Sequence, residues 1–156
     1  MFLGRQFRSY SQKELVLLVG WQALIALLSF IVCVGEVATS VGVLANKPVG
    51  FVGSFFVAFV ALVVAGVFSV GAWQSISQPS NAVGYPIVGS ILALVGAGTM
   101  LLIMGAHLLL TLPPIESPDY AGWHPADDFT FLLVIALLAA PFSLLYLWEK
   151  RKMQEF

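Results

Sequence analysis

The chain has 156 residues, of which 60% are apolar and only 10% are charged, and its mean hydropathy is +0.96. A soluble domain carries roughly a quarter charged residues, so this composition excludes a soluble enzyme. The formal net charge of −1 offers no basic surface, and we expect no nucleic-acid partner. The single cysteine, Cys33, excludes an internal disulfide and a CxxC redox centre. The sequence therefore predicts an all-α integral membrane protein.

Four apolar stretches are long enough to cross a bilayer, because a helix needs about 20 residues to span a ~30 Å hydrocarbon layer. The predicted spans are residues 15–35, 49–73, 87–112 and 129–148. The chain then divides into a basic N-terminal tail (1–14), a four-helix transmembrane domain (15–148) and a basic C-terminal tail (149–156).

The basic residues predict the orientation. With four spans both tails lie on one side, which then holds six of the seven basic residues: Arg5, Arg8, Lys13, Lys150, Arg151 and Lys152. The positive-inside rule places that side in the cytoplasm, matrix or stroma. On the opposite side, Glu36 is predicted to follow the first span, within reach of water. Asp127 and Asp128 are predicted to cap the fourth helix.

Small residues mark the faces where helices pack closely in lipid. The predicted helix-packing residues are Gly50, Ser54, Ala58, Ala61, Ala65 and Ser69 in the second span and Gly89, Ala93, Ala97 and Gly105 in the third. The second and third spans are therefore predicted to form the most closely packed hairpin. A bulky face of the second span, which includes Phe55 and Phe68, is predicted to meet either lipid or neighbouring subunits.

Intramembrane ionisable groups are the first candidates for chemistry, and His107 is the one such group inside a predicted span. We expect it to bind a backbone carbonyl or an interfacial water. A ligand contact through His107 and His124 is the alternative, but a helix residue and a loop residue would then have to converge. Gln22 is expected to form a hydrogen bond between helices. We predict no catalytic, cofactor-binding or metal-binding residues, and no bound small molecule other than a phospholipid.

Two functional classes stay open. The favoured one is a non-catalytic accessory subunit of a membrane protein complex, with other membrane subunits and lipids as partners. An energy-transducing membrane, such as the mitochondrial inner membrane with its respiratory chain, is the predicted location, because the basic tails suit a matrix-facing orientation. A bacterial inner membrane or a plastid membrane predicts the same charge bias. The alternative is a stand-alone four-span protein that binds or moves a lipophilic ligand or organises membrane.

Overall fold

The computed structural model describes residues 11–44, 50–78, 83–112, 118–120 and 122–154, with the side chains of α4 described as far as residue 144. The described residues form four α-helices and two short 3-10 turns. The helices are α1 (Gln12–Ser40), α2 (Phe55–Ser77), α3 (Gly84–Leu110) and α4 (Phe131–Gln154), and the turns Pro118–Tyr120 and Pro125–Asp127 precede α4. The expected all-helical architecture is confirmed.

Three of the helices, α1, α2 and α3, are long and apolar enough to cross a membrane. In α4 the apolar part with described side chains, Phe131–Leu144, is shorter. The first and last helices extend beyond the predicted spans into the predicted tails. Residues 12–14 belong to α1, and residues 149–154 continue α4. Residues 1–10, 155 and 156 of the predicted tails lie outside the described residues.

The N-terminal end of α1 is set by a capping box. The Ser11 hydroxyl accepts a hydrogen bond from the Glu14 backbone N–H, and the Glu14 carboxylate accepts one from the Ser11 N–H, at 3.3 and 2.9 Å. These two contacts satisfy donors that the first turn of a helix leaves without a partner. The helix therefore starts before Lys13 rather than after it.

The most extensive helix contact joins α1 and α2, so the prediction that the second and third spans form the closest pair is wrong. A buried stripe with spacings of three and four runs along α1: Gln22, Ile25, Ala26, Ser29, Val32, Cys33, Glu36 and Thr39. Gln22 makes the expected interhelical hydrogen bond, with its Nε2 donating to Ser75 Oγ at 3.2 Å. A polar contact near the N-terminal end of this stripe therefore adds to the packing of α1 on α2.

At the α2–α3 contact, larger side chains of α2 pack directly against glycines of α3. A Cβ on Gly89 would lie 2.7 Å from the Phe68 ring, and a Cβ on Gly96 would lie 2.7 Å from Val60. These pairs run in opposite directions along the two helices, so α3 is antiparallel to α2. Phe68 is fully buried, which corrects its predicted place on an outward bulky face. The ring also packs against Phe142 of α4, with 5.7 Å between centroids.

The fourth helix closes the bundle and runs parallel to α2. Phe131 at its start contacts Phe51, which precedes α2, while Phe142 contacts Phe68 further along α2. Against α1, Trp21 Nε1 donates to the Leu138 carbonyl at 3.0 Å. The helices therefore alternate in direction through the bundle.

The structure places the predicted packing residues in two groups. Six are buried: Ala58, Ala61, Ala65, Gly89, Ala93 and Ala97. The other four are not buried packing positions of a helix. Gly50 and Ser54 precede α2, Ser69 is exposed, and a Cβ on Gly105 would meet no atom within 4 Å. The small-residue pattern extends beyond the buried face because its spacing of three and four also fits neighbouring faces of a helix.

We expect Gly89→Ala to destabilise the protein by about 1–3 kcal/mol, since the added methyl group must displace a fully buried ring. Gly98→Ala on the same helix is the matched control, because a Cβ there meets no atom within 4 Å. Alanine favours a helix over glycine, so this control should be neutral or stabilising by up to about 1 kcal/mol. Reversible unfolding in detergent, followed by circular dichroism, measures both. Equal effects would contradict the Gly89–Phe68 packing.

Candidate functional site

The polar groups with the most specific geometry lie at one end of the bundle, where α1 and α3 finish and α2 and α4 begin. We call this the acidic end, after Glu36, Asp127 and Asp128. It contains a buried carboxylate bound to backbone amides, a cluster of three side chains, and a cavity. Each feature is built from residues that are distant in sequence.

Glu36 is fully buried and lies inside α1, four residues before its end. The prediction that it follows the span and meets water is therefore wrong. Its Oε1 accepts a hydrogen bond from Val52 N at 3.3 Å, and its Oε2 accepts one from Ser54 N at 2.9 Å. A buried charge is tolerated when it is paired or hydrogen-bonded, and here the donors are the backbone just before α2.

The same contacts complete the N-terminus of α2. Ser54 is its N-cap residue, and the Ser54 hydroxyl accepts a hydrogen bond from Val57 N at 3.4 Å. A negative charge near a helix N-terminus is also favoured by the helix dipole. Glu36 therefore supplies to α2 the acidic group that this helix lacks in its own first turn.

Residues 50–54 form a link between three helices. Gly50 and Gly53 have φ angles of +93° and +71°, a region that favours glycine. These turns allow the Gly50 carbonyl to accept a hydrogen bond from Phe131 N at 3.2 Å. The Phe51 and Phe131 rings meet edge to face, with 5.3 Å between centroids. Because Glu36 holds the same segment, α1, the start of α2 and the start of α4 are joined here.

The second feature is a cluster of His107, Trp123 and Asp128. His107 Nδ1 lies 2.6 Å from Asp128 Oδ2, and Trp123 Nε1 donates to the same oxygen at 2.9 Å. The His107 and Trp123 rings meet edge to face, with 6.0 Å between centroids. The sequence did not predict this contact of His107 with an aspartate. That contact ties α3 to the segment before α4.

The prediction that Asp127 and Asp128 cap α4 is wrong. Asp127 does not cap α4, because its carboxylate accepts a hydrogen bond from His124 N at 2.8 Å within the second 3-10 turn. Asp128 is engaged with His107, and Thr130 takes the capping role, its Oγ1 accepting from Leu132 N at 3.0 Å. His124 itself is exposed.

The third feature is a cavity of about 350 Å³ beside these contacts, and it is open to the surface of the bundle. Apolar side chains form most of its wall, with two hydroxyl residues and one carboxylate among them. The lining residues are Val52, Ser54 and Phe56 from the start of α2, Thr99, Met100 and Ile103 from α3, and Asp128. Two of these residues, Val52 and Ser54, are the ones whose backbone amides bind Glu36, so the Glu36 contact also shapes the cavity wall.

Sequence reasoning missed the role of Glu36, although a signal for it exists. Gln22, Ser29 and Glu36 are spaced by seven residues, and all three are fully buried. A seven-residue spacing keeps side chains on one helix face, which indicates that Glu36 shares the buried face with the two polar residues before it. Among the described residues, no group of three or more His, Cys, Asp or Glu side chains is placed to hold a metal ion.

Comparison with known proteins decides the family. The family model of the MJ0565 integral membrane domain matches residues 13–151. The chain belongs to this family. The match covers all four helices as far as residue 151, and with the three long apolar helices it shows a multi-pass integral membrane domain. No curated protein and no solved structure matches the chain significantly.

We expect Glu36→Gln to lower the free energy of unfolding by about 1.5–3 kcal/mol, the range for a hydrogen bond to a charged group. The glutamine has one acceptor oxygen, so its NH₂ group faces one of the two backbone donors. Asp119→Asn, at an exposed carboxylate, should change stability by less than about 0.5 kcal/mol. Unfolding in mixed micelles compares the two variants, and equal losses would show that the Glu36 contacts do not stabilise the fold.

Proposed function

We propose that this chain is a non-catalytic structural subunit of a larger membrane complex. The observation that carries the proposal is a pair of glycines with open space beside them on one face of α3. Gly98 and Gly105 are seven residues apart, and an added Cβ at either would meet no atom within 4 Å. Each glycine costs a helix about 1 kcal/mol relative to alanine, and no packing within the described residues uses these two. Close approach of a helix from another subunit would explain them.

The interior polar groups support the non-catalytic part of the proposal. The Glu36 carboxylate binds two backbone amides, the Gln22 amide binds Ser75, and Asp128 binds His107 and Trp123. The Glu36, Gln22 and His107 contacts each connect different parts of the bundle. The hydrogen-bonding partners of these groups are residues of the bundle itself, which supports a structural role for the contacts.

Extraction in a mild detergent tests the assembly directly. The chain should purify with stoichiometric partners, and Gly98→Leu or Gly105→Leu should remove those partners without lowering the thermal stability of the purified chain. Phe55→Leu, on an exposed face of α2, is the control and should retain them. Purification of the native chain alone, or equal retention of partners by all three variants, would contradict the proposal.

The proposed topology has four spans, with both termini on the basic side. The α4 helix has 24 residues, about 36 Å at 1.5 Å per residue, and residues 131–148 carry no charge. Its direction, parallel to α2, supports an end on the same side as the start of α1. Lys13 precedes the apolar part of α1, and Lys150, Arg151 and Lys152 follow that of α4, which supports a cytoplasm-like location for that side.

Cysteine labelling in a Cys33→Ala background tests this topology. Gln12→Cys and Asp119→Cys, both at exposed positions, should react with a membrane-impermeant maleimide from opposite sides of sealed vesicles. Labelling of both from one side would refute it. A second pair at Glu149 and Asp119 should also label from opposite sides, which tests the passage of α4 separately from that of α1 to α3.

For the compartment, we propose an energy-transducing membrane such as the mitochondrial inner membrane, in which the subunit would serve a respiratory-chain complex. The support is the charge bias alone. A bacterial inner membrane or a plastid membrane agrees with the same bias. Fractionation of the native cell, with the partners from the extraction experiment followed in parallel, distinguishes these membranes.

The cavity at the acidic end favours a second candidate function, a four-span protein that binds a lipophilic ligand. Its volume of about 350 Å³ lies within the lower part of the range for small-molecule sites. Its wall is mainly apolar and contains the Asp128 carboxylate. This combination of an apolar wall with few polar groups is typical of ligand sites.

A further inference from the structure

We infer that the cavity at the acidic end binds a membrane lipid through a primary ammonium group in its headgroup. The inference rests on the second candidate function and specifies its ligand class. Three features support it: the acceptor at Asp128, the occupied amides at the start of α2, and the apolar wall.

Asp128 provides the acceptor. Among the described residues, both hydrogen bonds to its carboxylate fall on Oδ2, from Trp123 and at the His107 ring. An ionised carboxylate has about four lone-pair sites on its two oxygens, so acceptor capacity remains at a residue that lines the cavity. A charged N–H donor is the group that this position binds most strongly, since charge-assisted hydrogen bonds are about twice as strong as neutral ones.

The start of α2 favours a cation over an anion in this cavity. A helix N-terminus ordinarily attracts phosphate or carboxylate through its exposed amides. Here Glu36 already accepts hydrogen bonds from the Val52 and Ser54 amides, and the Ser54 hydroxyl accepts from that of Val57. Three amides at the start of α2 are therefore occupied, and the two carboxylates nearby, Glu36 and Asp128, disfavour an anion.

The apolar wall explains why the ligand is a lipid rather than a small soluble amine. Phe56, Met100 and Ile103 line the cavity together with Asp128. Ile103 lies seven residues before the end of α3, about 10 Å deeper along the helix. Phe56 and Ile103 are exposed, so this apolar wall is open to the lipid around the bundle and offers a surface for an alkyl chain.

Native mass spectrometry of the full chain, with lipids of identical acyl chains, tests the inference. Phosphatidylethanolamine should be retained about tenfold more strongly than phosphatidylcholine, whose quaternary ammonium has no N–H donor. Phosphatidylglycerol should be retained no better than phosphatidylcholine. Free ethanolamine at the same concentration should not displace bound phosphatidylethanolamine, and displacement would overturn the choice of a lipid as the ligand.

Asp128→Asn should abolish the preference for phosphatidylethanolamine, while Asp127→Asn should keep it. The two aspartates are adjacent and the charge change is the same, but Asp127 binds the His124 amide and does not line the cavity. Equal loss in both variants would overturn the assignment to Asp128 and indicate a general surface-charge effect.

A second pair of variants covers the case in which Asp128→Asn does not fold. Thr99→Phe should fill the cavity and remove lipid retention, because Thr99 lines it. Val95→Phe, on an exposed face one turn earlier, should leave retention unchanged. Retention by Thr99→Phe at the native level would overturn the site.

The outcomes separate this inference from the function on which it rests. If the native chain retains no lipid of any headgroup, both the second candidate function and the inference fail. If it retains all three lipids equally and loses them in Thr99→Phe, the lipid-binding function stands and only the ammonium preference fails.

Discussion

The architecture depends on one interaction, the hydrogen bonding of the buried Glu36 carboxylate to the backbone just before α2. Without water, each backbone amide needs a protein partner, and residues 50–54 leave helical geometry where such partners are scarce. Glu36 supplies two acceptors from another helix. The Glu36 contacts also bear on α4. They hold the segment whose Gly50 carbonyl accepts a hydrogen bond from Phe131 N. The cavity wall also contains Val52 and Ser54, which hold the amides bound by Glu36.

The distribution of polar groups follows from their cost in an apolar environment. A carboxylate without partners in such a medium is expensive, and one with charge-assisted hydrogen bonds is tolerated. Glu36 and Asp128 each have two such contacts and sit within a few residues of a helix end. Deeper in the bundle the polar groups are neutral: Ser29 donates to the Ile25 carbonyl of its own helix, and Ser90 donates to that of Ile87. Among the described residues, the charged side chains therefore lie near the ends of the bundle.

Away from the acidic end, the packing of α2 against α3 and α4 relies on the shape of Phe68 and its neighbours. Phe68 fills the space beside Gly89 and meets Phe142, so one ring links α2, α3 and α4. Gly98 and Gly105 show the reverse pattern, with open space where a side chain would be. This difference between glycines on one helix separates contacts made within the chain from surface left for lipid or another subunit, and it is the basis of the assembly proposal.

The sequence by itself determined the membrane class, the all-helical fold and the approximate place of each helix, because hydropathy and length reflect the bilayer directly. Periodicity also placed six small residues on buried faces. Only the tertiary structure decided that Glu36 is buried, that Asp128 meets His107 rather than capping α4, and that Phe68 points inward. These depend on which helices are neighbours and at what height they cross. A charged residue near the end of an apolar run looks like the end of a membrane span in the sequence. The pattern is the same whether the side chain meets water or, as with Glu36, binds the backbone of another segment.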